Sequence, residues 1–150
     1  MAGLIIAVIF FNLIAFTTNR RLTTNQIVHI WIFTIAFQLL ADGYVDLKYH
    51  GYWYFSKDVD WKSLPAVTIL IPPVNMMFLN WFPFEQSLYK RVFYIFCWVV
   101  VITFYEAITL LPEPWGYFHH GWWNLWYSAL VNPILFLIIL NYYKWISKID

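Results

Sequence analysis

The sequence predicts an all-α protein, a polytopic membrane helix bundle of five transmembrane helices with its N-terminus outside the cell and its C-terminus inside. Hydrophobic residues make up 62% of the 150 positions and charged residues only 11%, whereas an ordinary soluble domain is about half apolar and about a quarter charged. Apolar runs near bilayer-spanning length recur along the chain. No flexible linker divides it, so residues 1–150 form one predicted domain. The predicted spans are 2–18, 25–50, 64–84, 92–111 and 122–143.

The first apolar run, residues 4–16, is short enough to be the core of a signal peptide. The charges favour a different interpretation, because no Lys or Arg precedes the run, whereas Arg20 and Arg21 follow it. A small-x-small cleavage pattern is also missing at its end. We therefore interpret residues 2–18 as a first span.

A capping box predicts the start of the second helix. Thr23 and Gln26 have the spacing at which the two side chains satisfy free backbone N–H groups at a helix start. The helix should begin near Thr24 and continue to His50, with Gly51 as its C-cap. An aromatic and charged stretch then follows over residues 49–62, which is typical of the headgroup layer of a membrane.

The third span, 64–84, is interrupted by Pro72 and Pro73. Proline has no backbone N–H and clashes with the preceding turn, so we expect a kink or an unwound turn centred on Thr68 to Pro73. The carbonyl groups freed at that depth must find protein or water partners. A straight, fully hydrogen-bonded helix would contradict this expectation.

Orientation is predicted from the basic residues, which concentrate in cytoplasmic loops of membrane proteins. On the predicted inner side lie Arg20, Arg21, Lys90, Arg91, Lys144 and Lys148, and on the outer side only Lys48, Lys57 and Lys62. The lipid bilayer is the predicted partner. The net charge is only +1 and the charges are scattered, so a nucleic-acid partner is not expected. A homo-oligomer or a membrane-protein partner stays open.

The most specific polar pattern lies on the second helix. Gln38, Asp42, Asp46 and His50 recur at intervals of four, which places them on one helical face. Such a row could bind a divalent cation, relay protons or pair with a cationic group. The alternative is that its last members are solvated residues at an emergent helix end, where charge costs less.

Glu106 is the one carboxylate within the otherwise continuous fourth run. Acidic residues at bilayer depth usually face the bundle interior, although a structural hydrogen bond explains Glu106 equally well. We predict that Glu106 faces the second helix and shares a polar pocket with Asp42, with Gln38 or Asp46 as further members. The metal-ligand candidates are Asp42, Asp46, His50 and Glu106. His119 and His120 are adjacent and point apart, so we interpret them as interfacial residues.

Several segments of the chain form a distinctive set: DGYVDLKYHGYWYF at 42–55, Asp60-Trp61, PPVN at 72–75, LNWFP at 79–83, Tyr105-Glu106, and 123–128 with Asn132-Pro133. Together they resemble a family of small multi-pass membrane proteins of endospore-forming bacteria. The similarity covers most of the chain from the second helix onward. It implies a bacterial inner-membrane protein and matches Asp42, Asp46 and Glu106 to characteristic positions, but the family has no assigned activity.

Two functions from different classes remain open. The first is a non-enzymatic membrane protein whose outer-leaflet polar cluster handles a small solute, a proton or a cation, or contacts a membrane partner. The second is a membrane-embedded enzyme, metal-dependent or acid/base, that acts on a lipid or isoprenoid. The chain has no Walker loop, dinucleotide fingerprint, HExxH pair or G-x-S-x-G elbow, and no cofactor can be named.

Overall fold

A computed structural model of the protein describes residues 2–55, 61–112 and 115–149, with residues 46 and 47 described by their backbone only. Its α-helices are α1 (Ala2–Thr17), α2 (Thr24–Asp42), α3 (Ile71–Trp81), α4 (Leu88–Thr109) and α5 (Leu125–Ile149). A π-helical segment, Gly43–Lys48, continues α2. A 3₁₀ turn, Trp61–Ser63, and a second π-helical segment, Ala66–Leu70, precede α3. The fold is therefore helical, as the sequence predicts.

The prediction missed a short β-ribbon. Strand β1 (Tyr52–Tyr54) pairs antiparallel with β2 (Phe118–His120), and Tyr52 lies opposite His120. The ribbon joins the segment after α2 to the segment before α5, which lie far apart in sequence. The aromatic side chains of β1 were predicted to lie in the headgroup layer. In the structure the ribbon covers one end of the helix bundle.

Four helical stretches within the described residues are long and apolar enough to cross a membrane: Thr24–Val45, Trp61–Trp81, Leu88–Thr109 and Leu125–Ile149. Helix α1 is apolar but shorter, with 16 residues. Large apolar side chains are exposed on the outer faces, among them Phe93, Phe104 and Leu130. So much exposed apolar surface is expected where lipid covers a protein.

The capping box at the start of α2 is confirmed. The Thr23 hydroxyl accepts a hydrogen bond from the Gln26 backbone N–H at 3.1 Å, and the Gln26 side-chain oxygen accepts one from the Thr23 backbone N–H at 3.0 Å. Helix α2 begins at Thr24. Both partners lie within four residues, so the sequence alone determines this feature.

The end of this helix differs from the prediction. The α-helix ends at Asp42, the wider π-helix runs to Lys48, and the positive φ of 51° belongs to His50. Gly51 is therefore not the left-handed cap. A Cβ at Gly51 would lie 2.7 Å from the Trp122 ring, so glycine is needed there for close packing.

The predicted interruption before Pro73 is present as the π-helical segment Ala66–Leu70, and both prolines lie in the first turn of α3. In a regular helix their N–H groups would bond to the carbonyl oxygens of Thr68 and Ile69. The Trp31 indole N–H donates to the Thr68 oxygen at 2.7 Å, and the Asn12 side-chain amide donates to the Ile69 oxygen at 2.7 Å. The freed carbonyl groups thus find partners on α2 and α1.

Helix α3 is the centre of the bundle, since it packs against α1, α2 and α5, while α4 packs mainly against α5. Phe78 of α3 is fully buried. Its ring stacks on Phe136 with centroids 4.4 Å apart and lies 5.5 Å from Tyr94. Close interhelical packing of this kind stabilises membrane bundles, because lipid offers little hydrophobic drive for helix association.

The bundle has two distinct ends. The ribbon end carries β1, β2 and the C-terminal ends of α2 and α4. The opposite end, here called the loop end, carries the α1–α2 and α3–α4 connections and the C-terminus of α5. At the loop end the Asn80 side-chain oxygen accepts from the backbone N–H groups of Arg20 and Arg21, each at 3.0 Å. The six basic residues assigned to one side by sequence all lie at this end, and Lys48 and Lys62 lie at the ribbon end.

Candidate functional site

A cavity of about 300 Å³ lies among α2, α3, α4 and α5, beneath the β-ribbon. Its walls are mainly apolar and include Phe33, Phe37, Val74, Leu135, Phe136 and Ile139. The polar residues on its surface include Gln38, Tyr54, Tyr105, Glu106, Tyr117, Ser128 and Asn132. An apolar pocket with a few polar groups is the usual form of a small-molecule site.

Glu106 lies on the cavity wall. Its Oε2 accepts a hydrogen bond from the Ser128 hydroxyl at 2.6 Å, and Nε2 of His120 lies 3.4 Å from the same oxygen. The Ser128 oxygen in turn accepts from the Trp123 indole N–H at 2.7 Å. No residue within the described ranges donates to the other oxygen, Oε1. The Glu106 side chain is 19% exposed, so this carboxyl group has room for another partner.

Local geometry brings the ribbon over Glu106. Helix α4 ends at Thr109, whose carbonyl oxygen accepts the Tyr117 backbone N–H at 3.0 Å. A Cβ at Gly116 would lie 1.8 Å from the Leu111 carbonyl oxygen, so only glycine permits this close return. The tight turn places β2, and with it His120, directly above the end of α4.

Asp42 has a different environment. It is only 7% exposed, and one of its oxygens, Oδ1, accepts from the Tyr52 hydroxyl at 2.6 Å and from the Gln38 side-chain amide at 2.9 Å. Gln38 and Tyr52 line the cavity, but Asp42 does not. The carboxyl group is therefore behind the cavity wall and is held by two of the residues that form it.

The predicted row on the second helix is only partly brought together. Gln38 and Asp42 are in contact, as their spacing predicts. Beyond Asp42 the π-helix has more residues per turn, so an interval of four no longer follows one face. The Asp46 side chain lies outside the described residues. His50 is exposed at the helix end, away from the cavity wall.

Asp42 and Glu106, which were expected to share one pocket, have separate hydrogen-bond partners in the structure. Asp42 bonds to Gln38 and Tyr52, whereas Glu106 bonds to Ser128 and contacts His120. The two groups of residues meet at the ribbon, where Tyr52 and His120 are paired across the strands. The sequence analysis missed Ser128 and interpreted His120 as interfacial. The available signal was the four-residue spacing of Ser128 and Asn132, which places both on one face of α5.

Tyrosine hydroxyl groups line the cavity beneath the ribbon. The hydroxyls of Tyr105 and Tyr117 lie 3.2 Å apart, and the Tyr54 hydroxyl lies 3.4 Å from the Gln38 amide that donates to it. Burial raises the pKa of the Tyr117 hydroxyl well above its ordinary value, and the nearby Tyr105 adds to this effect. Tyr117 is therefore a neutral group that can both donate and accept hydrogen bonds.

Three buried polar atoms lack a hydrogen-bond partner among the described residues: Thr103 Oγ1, His120 Nε2 and Asn132 Nδ2. Asn132 lines the cavity. Buried amide groups are normally hydrogen-bonded. An unpaired amide on a cavity wall is therefore available to a molecule that enters.

The metal-ligand candidates named from the sequence are not brought together in the part of the chain that the structure describes. Within the described ranges no three His, Cys, Asp or Glu side chains are close enough together to hold a metal ion. Ser128 donates a hydrogen bond to Glu106, and His120 contacts the same carboxylate oxygen.

The family resemblance seen in the sequence stays a prediction, because comparison of the chain with protein-family models, curated proteins and solved structures found no match.

Proposed function

We propose that this protein is a multi-pass protein of a bacterial cytoplasmic membrane whose intrabundle cavity binds a small amphipathic organic cation. The observation that carries the proposal is Glu106, a carboxyl group on the wall of a mainly apolar cavity, with one oxygen to which no described residue donates a hydrogen bond. In this proposal the apolar body of the ligand lies among the phenylalanine and aliphatic side chains. Its cationic end faces Glu106.

The rings around Glu106 support a cation as the polar end. Tyr105, Tyr117, Phe118 and Trp123 all line the cavity. Aromatic faces attract ammonium groups, and such rings together with a carboxylate form a common recognition site for amines. The neutral tyrosine hydroxyls and the unpaired Asn132 amide supply further hydrogen bonds that fix the orientation of the ligand.

Membrane embedding is the second part of the proposal. We propose five spans, including α1, with the N-terminus outside and the loop end in the cytoplasm. Four long apolar stretches and the basic loop end support this arrangement. In a Cys97→Ala background, a single cysteine at Ser56 should react with an impermeant reagent in intact cells, and one at Glu85 only after lysis. A reporter fused after Asp150 should also indicate cytoplasm. Labelling of Ser56 only after lysis would overturn the orientation.

Ligand binding is tested with three probes of equal chain length, namely octylamine, octanol and octanoate, on the full chain in phosphatidylcholine nanodiscs. Empty nanodiscs correct for partitioning into lipid. Hydrogen bonds to charged groups contribute about 1.5–3 kcal/mol, so octylamine should bind about 10- to 100-fold more tightly than octanol. Octanoate should bind least, because it would lie against Glu106.

Two variants distinguish binding at Glu106 from a general effect of removing a buried carboxylate. Glu106→Gln should remove the preference for octylamine over octanol, and Asp42→Asn should retain it, because Asp42 lies behind the cavity wall. Equal binding of the three probes to the native protein would refute the proposal. An unchanged amine preference in Glu106→Gln would do the same.

A further inference from the structure

A second pocket lies at the loop end, far from the cavity. It is an open depression of about 660 Å³ between the α1–α2 connection, the α3–α4 connection and the last turns of α5. Its cationic residues are Arg21, Lys144 and Lys148. We propose that this pocket binds the phosphate headgroup of an anionic phospholipid.

The charges in the pocket are not balanced by the residues that the structure describes. One acid, Glu85, lies on its wall, so three cations and one anion leave a charge of +2. Within residues 2–55, 61–112 and 115–149 no carboxylate is close enough to Arg21, Lys144 or Lys148 to form an ion pair. Lys144 and Lys148 are one helical turn apart, where like charges repel. A bound anion would relieve that repulsion.

Arg21 is already held in position. Its Nη1 donates to the carbonyl oxygens of Leu79 and Phe82 at 3.0 and 2.7 Å. Its guanidinium carbon lies 4.7 Å from the centre of the Phe84 ring. The remaining N–H groups of Arg21 make no hydrogen bond to any residue that the structure describes. A preorganised guanidinium suits phosphate, because its forked N–H groups match phosphate oxygens.

The surroundings favour a lipid phosphate over a free one. Phe84 and Tyr143 form an aromatic wall with ring centres 5.5 Å apart. The same turns of α5 expose Trp145 and Ile149, and tryptophan is enriched at headgroup depth. Basic pockets at the cytoplasmic ends of transmembrane helices attract anionic headgroups. The apolar walls can hold the glycerol and first acyl carbons, which inorganic phosphate lacks.

The test titrates the full chain in detergent with dioctanoyl phosphatidylglycerol, dioctanoyl phosphatidylcholine or inorganic phosphate, and measures bound lipid by native mass spectrometry and thermal stability. Phosphatidylglycerol should bind and stabilise more than the other two. Each basic residue near a headgroup contributes about fivefold in affinity, so Lys144→Gln with Lys148→Gln should weaken phosphatidylglycerol binding about thirtyfold.

The matched control removes two charges from the same end but outside the pocket, with Arg20→Gln and Lys90→Gln, and should change affinity by less than about threefold. Lys144→Arg with Lys148→Arg should retain binding, which separates charge from misfolding. Octylamine binding should be unaffected in all three variants, so this proposal can fail without the cavity proposal failing. Equal losses in the Gln variant and the control would overturn it, as would equal protection by inorganic phosphate.

Discussion

Asp42 and Glu106 are both carboxyl groups inside apolar helices, yet the protein surrounds them in different ways. Asp42 is enclosed, with Tyr52 and Gln38 bonded to it within 2.9 Å. Glu106 lies on a cavity wall, and one of its oxygens is left without a described donor. The enclosed acid has the surroundings of a structural residue. The open acid has those of a binding residue, and the difference predicts different responses to substitution.

The largest expected effect is on stability at Asp42. Asp42→Ala removes the buried acceptor of the Tyr52 hydroxyl and the Gln38 amide, which should lower the free energy of unfolding by about 3 kcal/mol. Unfolding of the purified chain in detergent measures it. Glu85→Ala, at an exposed acid, is the control and should stay within about 0.5 kcal/mol of the native protein. Equal effects of the two variants would show that Asp42 is not a structural residue.

The next largest effect is a difference in stability between phenylalanine variants of two tyrosines in strand β1. Tyr52→Phe removes the 2.6 Å hydrogen bond to Asp42 and should cost about 1.5 kcal/mol, because a buried acceptor loses its closest donor. Tyr54→Phe removes the longer, 3.4 Å contact with Gln38 and should cost less, about 0.5 kcal/mol. If the order were reversed, the Asp42 pocket would not be organised by Tyr52. The same unfolding measurement gives both values.

At the open acid the corresponding change should cost less. Ser128→Ala removes the 2.6 Å donor to Glu106 and the acceptor of the Trp123 indole. Water or a ligand in the cavity can replace both, so we expect a loss of about 1 kcal/mol. Octylamine should then stabilise Ser128→Ala at least as much as the native protein. It should give Tyr52→Phe no extra stabilisation, because that defect lies behind the wall. A larger loss in Ser128→Ala than in Tyr52→Phe would reverse the comparison.

The smallest effect is the coupling between the two acids. A double-mutant cycle with Asp42→Asn and Glu106→Gln should give an interaction of about 0.5–1 kcal/mol, transmitted through the paired Tyr52 and His120. One pocket shared by the two acids, as predicted from the sequence, would give a larger interaction. A cycle of Asp42→Asn with Glu85→Gln should be additive. Additivity of the first cycle within about 0.3 kcal/mol would make the two acids independent.

The features that could be predicted from the sequence are those determined by residues close together in the chain. The capping box at Thr23 and Gln26 involves neighbouring residues, and the interruption before Pro72 follows from proline chemistry. Both are present in the structure. The fourth apolar span was predicted over 92–111, and the helix that contains it begins four residues earlier, at Leu88 after Ser87. The prediction was based on hydropathy, and Lys90 and Arg91 in the first turn of α4 are charged, so that turn was left out of the predicted span.

The candidate site was harder to predict because long-range pairing builds it. Strands of three residues carry too little alternation to be recognised, and β1 pairs with β2 across a large part of the chain. Only that pairing brings His120 to Glu106 and Tyr52 to Asp42. The second error came from extrapolating an interval of four through Gly43–Lys48, where the backbone is a π-helix.

The two carbonyl oxygens freed by Pro72 and Pro73 have a consequence for how the protein is made. Their donors, Trp31 and Asn12, belong to helices that precede α3 in the chain. In the five-span arrangement proposed above, α1 and α2 would enter the bilayer before the prolines emerge during synthesis from the N-terminus. When α3 then inserts, hydrogen-bond donors for its two free carbonyl groups are already in place, so these groups need not be exposed to lipid. In this arrangement the order of the helices in the chain allows α1 and α2 to supply the hydrogen-bond donors that α3 needs when it packs against them.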